Sequence, residues 1–128
     1  MDATIKKEVD KQQLRGSKRV KATGEVFTPV DLCLKIVLEV PASLLKNPES
    51  KFLDNSCGDG NFLVALSKVL RKYHKVDHVL NGMIYGVDLM EDNVTVCRER
   101  LGLTEEMPGW NHVVCTDALT FDYQFENL

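Results

Sequence analysis

The sequence predicts an α/β domain in which three mainly parallel strands carry flanking helices. Three observations lead there. Short apolar runs at residues 51–55, 83–88 and 112–116 each bring a carboxylate to their carboxyl end, as Asp54, Asp88 and Asp117. Stretches of helical periodicity separate the runs. The first run opens into F-L-D-N-S-C-G-D-G-N-F-L (Phe52 to Leu63), which reads as a strand, a polar glycine-rich turn and the start of a helix. Strand, helix, strand, helix, strand in this rhythm implies parallel strands joined by right-handed crossovers, with a ligand site at the strands' carboxyl ends.

Composition sets bounds. With 128 residues and 44% hydrophobic content, the chain has the length of one compact domain and the apolar material for one core. A net charge of -3 gives no overall attraction to nucleic acid, so any DNA-binding surface is local or contributed by another chain. Cys33, Cys57, Cys97 and Cys115 are widely spaced, with no C-x-x-C and no histidine at ligand spacing. Neither a metal site nor a disulfide framework is expected. Reduced thiols and a cytoplasmic setting follow. No apolar run approaches a membrane span and the charged start is no signal peptide, so no membrane association is expected.

The elements follow in order. Residues 1–22 read as a charged N-terminal arm or helix, and 23–128 as the domain proper. Within the arm, Arg15, Lys18, Arg19 and Lys21 form a basic run that either meets phosphates or is plain solvated surface. Thr28 is the expected N-cap and Pro29 the first residue of a helix running to about Glu39, which Pro41 stops. Leu32, Ile36 and Val40, with Val37 beside them, form an apolar stripe expected to pack on the sheet. After a polar connection, Lys51 to Asn55 is the first strand. Asn61 to about Tyr73 is the next helix, with Leu63, Leu66, Leu70 and Tyr73 on its buried face. His74 to Gly82 reads as a polar connection whose histidines, His74 and His78, are surface residues. Met83 to Asp88 is the second strand. Glu91 to Leu101 is a helix facing Val94, Cys97 and Leu101 inward, and His112 to Thr116 is the third strand.

The chemistry concentrates at the strand ends. Gly58 and Gly60 allow positive φ and a close approach of backbone to ligand, and the helix after them presents unpaired N–H groups with partial positive charge. Such a turn holds the anionic or polar part of a nucleotide-like ligand. A carboxylate at the second strand end, beyond a glycine turn, accepts from ribose hydroxyls. A third at the next strand can reach an exocyclic amine. Together they describe a site for an adenosine-containing ligand.

These motifs resemble those of the S-adenosylmethionine-dependent DNA adenine-N6 methyltransferases, as found in many restriction-modification systems. G-E-V-F-T-P at Gly24 to Pro29 is similar to that family's N-terminal cofactor motif, and Leu53 to Leu63 to its glycine-rich motif. G-V-D-L at Gly86 to Leu89 and D-A-L at Asp117 to Leu119 match the two that follow. The resemblance implies a partial Rossmann-like methyltransferase fold and S-adenosylmethionine as cofactor. It places Phe27, Thr28 and Pro29 beside the methionine part, and Asp54, Cys57, Gly58 and Gly60 at the amino-acid end. Asp88 would bind the ribose, Leu89 or Met90 the adenine face, Asp117 the adenine amine, and Ala118 would leave room for the ring. Asn55 stands where proline is frequent in the family.

What the resemblance does not supply is a catalytic residue. The family's Asn/Asp-Pro-Pro-Tyr/Phe motif, which receives a flipped-out adenine, does not occur before Leu128. Asn47-Pro48 continues with Glu49 and precedes the glycine turn, so it is no substitute. The chain therefore reads as the cofactor-binding half of a truncated or split enzyme. Its apolar sheet edge would pair with a second copy or with a separate chain carrying the catalytic half, DNA being engaged only in that assembly; alternatively, Phe121 to Phe125 folds back over the exposed face. A second reading is a non-enzymatic cofactor-binding or interaction protein that interferes with methylation or restriction. An unrelated dinucleotide-binding domain ranks last, because Leu63 occupies the third glycine's place and Asp88 lies well beyond the roughly 20 residues expected of the ribose-binding acid.

Overall fold

The computed structural model describes residues 27–125. The arm, the basic run and Gly24 to Val26 lie outside the described residues. Helix α1 spans Val30–Leu38, α2 Ala42–Lys46, β1 Phe52–Asp54, α3 Asn61–Leu70, α4 Val76–Gly82, β2 Ile84–Asp88 and α5 Glu91–Leu101. A 3₁₀ turn, Pro108–His112, then leads into β3, Val113–Cys115. The three strands form one parallel sheet in the order β1-β2-β3. This is the mixed α/β, partial Rossmann-like arrangement that the sequence predicts.

Register assigns the faces. Phe52 pairs with Ile84, Leu53 with Tyr85, and Asp54 with Gly86; on the other side Gly86 pairs with Val113, Val87 with Val114 and Asp88 with Cys115. Asp54 and Asp88 therefore share one face with Ile84, Gly86 and Val113. Both crossovers run in the same direction across the sheet, so connections of one hand put α3 and α5 on the same face. The two helices touch each other, and the Leu63 side chain of α3 lies directly against Gly86. Leu63, Leu70, Ile84, Val94, Cys97 and Val113 are fully buried between helices and sheet. Removing a side chain such as Leu63 from water contributes about 1.5–3 kcal/mol.

On the opposite face, which carries Tyr85, Val87 and Val114, the segment after β3 packs against Tyr85. Phe125 lies 5.0 Å from the Tyr85 ring and Phe121 lies 5.2 Å from Phe125, while His112 stacks on Tyr85 at 4.6 Å. Phe121 to Phe125 thus fold back toward Tyr85. Strand β1 remains an edge among the described residues, with Leu53 half exposed. An open groove of about 450 Å³, lined by Ile36, Val40, Phe52, Leu53 and Phe62, flanks one face of this edge. A groove of about 260 Å³, lined by Lys51, Tyr85, Tyr123 and Phe125, flanks the other.

Several local expectations need correction. Helix α1 starts one residue later than expected: Pro29, with extended ψ of 145°, occupies the cap position, and no side chain caps the helix. The Thr28 carbonyl accepts instead from Asn61 Nδ2. The stripe of α1 that is buried is Val30, Cys33 and Val37, against α3 rather than the sheet; Leu32 and Ile36 are 46% exposed. The reason is topological, since α1 precedes β1 and is no crossover between strands. Tyr73 is exposed because α3 ends at Leu70 and the chain turns there.

Two short helices lie where the sequence predicts only connections. Helix α2 is five residues long, and α4 occupies the supposed polar connection, burying only Val79 and Leu80. Neither is long enough for a periodic signal. The imidazoles read as plain surface fasten this region: His74 Nε2 donates to the Leu45 carbonyl and His78 Nε2 to that of Pro48, each at 2.7 Å.

Candidate functional site at the carboxyl ends of the strands

The glycine turn is built by backbone conformation. Gly58 has φ of +55° and Gly60 of +102°, in the region that side-chain-bearing residues avoid. At Gly58 a Cβ would lie 3.0 Å from the Phe27 ring. At Gly60 it would come within 2.7 Å of the Cys97 Sγ. The first glycine thus lets the turn close on the segment before α1, and the second lets it close on α5. Gly60 is also the cap position of α3, and the Cys57 carbonyl accepts from its N–H at 2.9 Å.

Asp88 joins this turn to the second strand end. Its Oδ1 accepts from the Gly58 N–H at 3.1 Å, while Oδ2 accepts from the Met90 N–H at 3.0 Å and from Asn93 Nδ2 at 2.9 Å. A carboxylate offers about four lone-pair directions, so three protein donors leave room for another. The Cys57 N–H donates to the Val87 carbonyl at 2.9 Å, which continues the junction from β2 into the turn. Asp54, at the end of β1, accepts from the Ser56 N–H at 3.1 Å. Burial raises its pKa above the ordinary 3.8, and the nearby Asp88 charge pushes the same way.

A cleft of about 200 Å³ opens here. Phe27, Thr28, Asp54, Ser56, Cys57, Gly58, Asn61 and Phe62 are among its lining residues. Its walls are mainly polar, and an arginine outside it, Arg100 of α5, donates to the Asp59 carbonyl at the turn. The volume falls short of the roughly 300–1,000 Å³ of complete small-molecule pockets, so it suits one end of an extended ligand. Past Asp88 the rim is open. Leu89 is 69% exposed and Asp117 is exposed, with Ala118 partly so. The Thr116 N–H donates to the Asp88 carbonyl at 3.0 Å, which brings the Asp117 turn beside the end of β2. Asp117 Oδ1 accepts from the Leu119 N–H at 2.9 Å.

The fold therefore gathers Phe27, Thr28, Asp54, Cys57 and Gly58 around one cleft and adds Asp88 through Gly58. Leu89, Asp117 and Ala118 stand on the adjoining open rim. Pro29 lies exposed at the start of α1, and the space left by the missing Gly60 side chain is taken up by Cys97. Sequence reasoning missed Ser56, Asn61 and Phe62 in the lining, Asn93 behind Asp88, and Arg100. Asn61 sits within the quoted motif and could have been read as a side chain aimed back across the turn. Arg100 had no local signal.

The thiols are dispersed. Burial pushes the Cys33 thiol up to about 12. The neighbouring Cys97 thiol and burial raise the Cys57 pKa. Cys115 alone is exposed, its thiol donating to the Leu89 carbonyl at 3.3 Å. Among the described residues no cluster of His, Cys, Asp and Glu could hold a metal ion, and no helix is long and apolar enough to cross a membrane.

Compared with known protein families, the chain matches the family model for N-6 DNA Methylase over residues 14–124.

Proposed function

The chain belongs to the N-6 DNA methylase family, and from that membership we propose that residues 23–128 form the S-adenosylmethionine-binding part of a DNA adenine-N6 methyltransferase. The observation that carries this reading is the Asp88 carboxylate, which accepts from Gly58 of the glycine turn while standing at the open rim of the polar cleft. The cleft takes the amino-acid end of the cofactor, between Phe27 and Thr28 on one side and Asp54, Cys57 and Gly58 on the other, with Gly60 shaping the turn behind them. Asp88 accepts from the ribose hydroxyls. Leu89 lies against the adenine face, with Asp117 accepting from its amine beside Ala118.

The residues suit that ligand for reasons of charge. A cationic amino group is favoured beside Asp54, and a carboxylate beside the N–H groups at the start of α3. The bound cofactor supplies an activated methyl group. Nothing within residues 27–125 offers the Asn/Asp-Pro-Pro-Tyr set that would present an adenine amine to it. We therefore place the adenine-binding group, and DNA contact with it, outside these residues; a second copy would lack the group as well, so a separate segment or chain would supply it. The exposed β1 edge between two open grooves supports assembly there. The same edge would serve the alternative role, a non-enzymatic protein that occupies an assembly surface and interferes with methylation or restriction.

Calorimetric titration with S-adenosylmethionine tests the cofactor reading. The wild type should bind, and Asp88→Ala should weaken binding by about 1–3 kcal/mol, the cost of losing hydrogen bonds to a charged group. Absence of binding by the wild type would remove the cofactor role and leave the interaction role. Methylation of adenine-containing DNA by a reconstituted pair separates enzyme from interfering protein. A monomer at high concentration in light scattering, with no partner recovered, would count against assembly.

A further inference from the structure

One guanidinium ties together three segments that meet at the cleft. Arg100 Nη1 donates to the Asp59 carbonyl at 2.9 Å and to Asn61 Oδ1 at 2.9 Å, and it pairs with the Asp59 carboxylate at 3.3 Å. Asn61 Nδ2 in turn donates to the Thr28 carbonyl. The pair is desolvated, Asp59 being 1% and Arg100 13% exposed. The chain of contacts thus runs from α5, through the glycine turn, to the backbone on the far wall of the cleft.

Two features set this apart from a surface ion pair. Charged groups removed from water interact strongly and hold a defined geometry, whereas exposed pairs contribute little. The donor directions are also divided. One nitrogen reaches a backbone carbonyl, a carboxylate and an amide at once, and the amide can donate to Thr28 only while its oxygen faces Arg100. Asn61 is therefore oriented at both ends.

We infer that Arg100, acting through Asp59 and Asn61, is a positioning residue that fixes the gap between the glycine turn and Phe27-Thr28, and so governs affinity for the amino-acid end of the ligand. The inference rests on the cofactor reading above. Arg100 would contact no part of the ligand itself. Its effect should fall on the part of the ligand inside the cleft and spare the adenosine on the open rim.

Two related probes separate these ends: S-adenosylhomocysteine, and 5′-methylthioadenosine, which lacks the amino-acid end. Arg100→Ala would take the guanidinium away from the buried Asp59 carboxylate and threaten folding. The informative variants are Arg100→Lys and the double Asp59→Asn, Arg100→Met, which removes both charges. Calorimetry should show S-adenosylhomocysteine binding weakened on the order of tenfold in the double variant, with partial recovery in Arg100→Lys, as expected when support for a ligand-contacting group is lost. Methylthioadenosine affinity should change by less than about twofold, because the adenosine groups keep their support. Equal losses for both probes, or no loss for either, overturn the inference.

Amide hydrogen exchange on the ligand-free chain supplies the second readout. Exchange should rise at residues 58–61 and around Thr28 in the double variant, with β2 and β3 unchanged. If the wild type binds neither probe, the cofactor reading fails, and the exchange contrast alone decides whether Arg100 fastens the two walls. Unchanged exchange in that case overturns the inference as well.

Discussion

The N–H of Gly58 donates to Asp88 Oδ1 at 3.1 Å, so the carboxylate ending β2 anchors the turn that follows β1. The same carboxylate fastens Met90 and Asn93 at the start of α5. One side chain thus joins the carboxyl ends of both strands, and its substitution tests structure and binding together.

Asp88→Asn keeps one oxygen acceptor but replaces the other with an amide NH2 group that would face a donor N–H. Thermal or urea unfolding should show a loss of about 1–3 kcal/mol, as for a charge-assisted hydrogen bond left unmade. Asp88→Ala should lose at least as much. Unchanged stability in both would mean that the junction does not need this carboxylate.

Asp54 should make both stability and cofactor binding depend on pH. Burial and the Asp88 charge raise its folded pKa above 3.8, so the folded chain takes up a proton more readily than the unfolded one. By linkage, Asp54 lowers stability as pH rises from 3.8 through the raised value, and imposes no such cost below 3.8. A cationic ligand group beside Asp54 works in the opposite direction. Affinity for S-adenosylmethionine should fall as pH drops through the raised value, and Asp54→Asn should flatten that dependence in calorimetry.

Gly60→Ala combines two penalties. The residue has φ of +102°, and its added Cβ would meet Cys97 Sγ at 2.7 Å. Denaturant unfolding should show destabilisation of about 2–4 kcal/mol, part backbone strain and part overpacking. Combining it with Cys97→Ala should recover the overpacking part alone. A double variant no better than the sum of its parts would mean that strain accounts for the whole effect.

The thiols should differ sharply in reactivity. Cys33 has its pKa pushed up to about 12 and that of Cys57 is raised, which disfavours their nucleophilic thiolates, while Cys97 is buried out of a reagent's reach. Iodoacetamide on the native chain should modify Cys115 before the other three, as read by mass spectrometry of the peptides. Cys115 donates to the Leu89 carbonyl on the open rim, so S-adenosylmethionine should slow its modification. Equal rates with and without cofactor would place the ligand away from this rim.

The positions of the strands and of α5 were legible because each carries a strong local pattern. Glu91–Leu101 has acidic residues at its start, an inward stripe of Val94, Cys97 and Leu101, and Gly102 in the left-handed conformation at its end. Helix α4 was illegible because only Val79 and Leu80 are buried in it. The facing of α1 failed for another reason. Its sequence offers two apolar stripes, and periodicity cannot tell which one meets α3.

The order of the three strands and of helices α1, α3 and α5, the glycine turn and the carboxylates at the strand ends are all legible in the sequence. These depend on backbone freedom and on side-chain period, which act over a few neighbouring residues. Only the tertiary structure decided that Asp88 holds Gly58, 30 residues away, and that Arg100 reaches Asp59 across 41. Such bonds form between groups whose separation is set by the packing of α5 and α3 on one face of the sheet, and no local pattern encodes that distance.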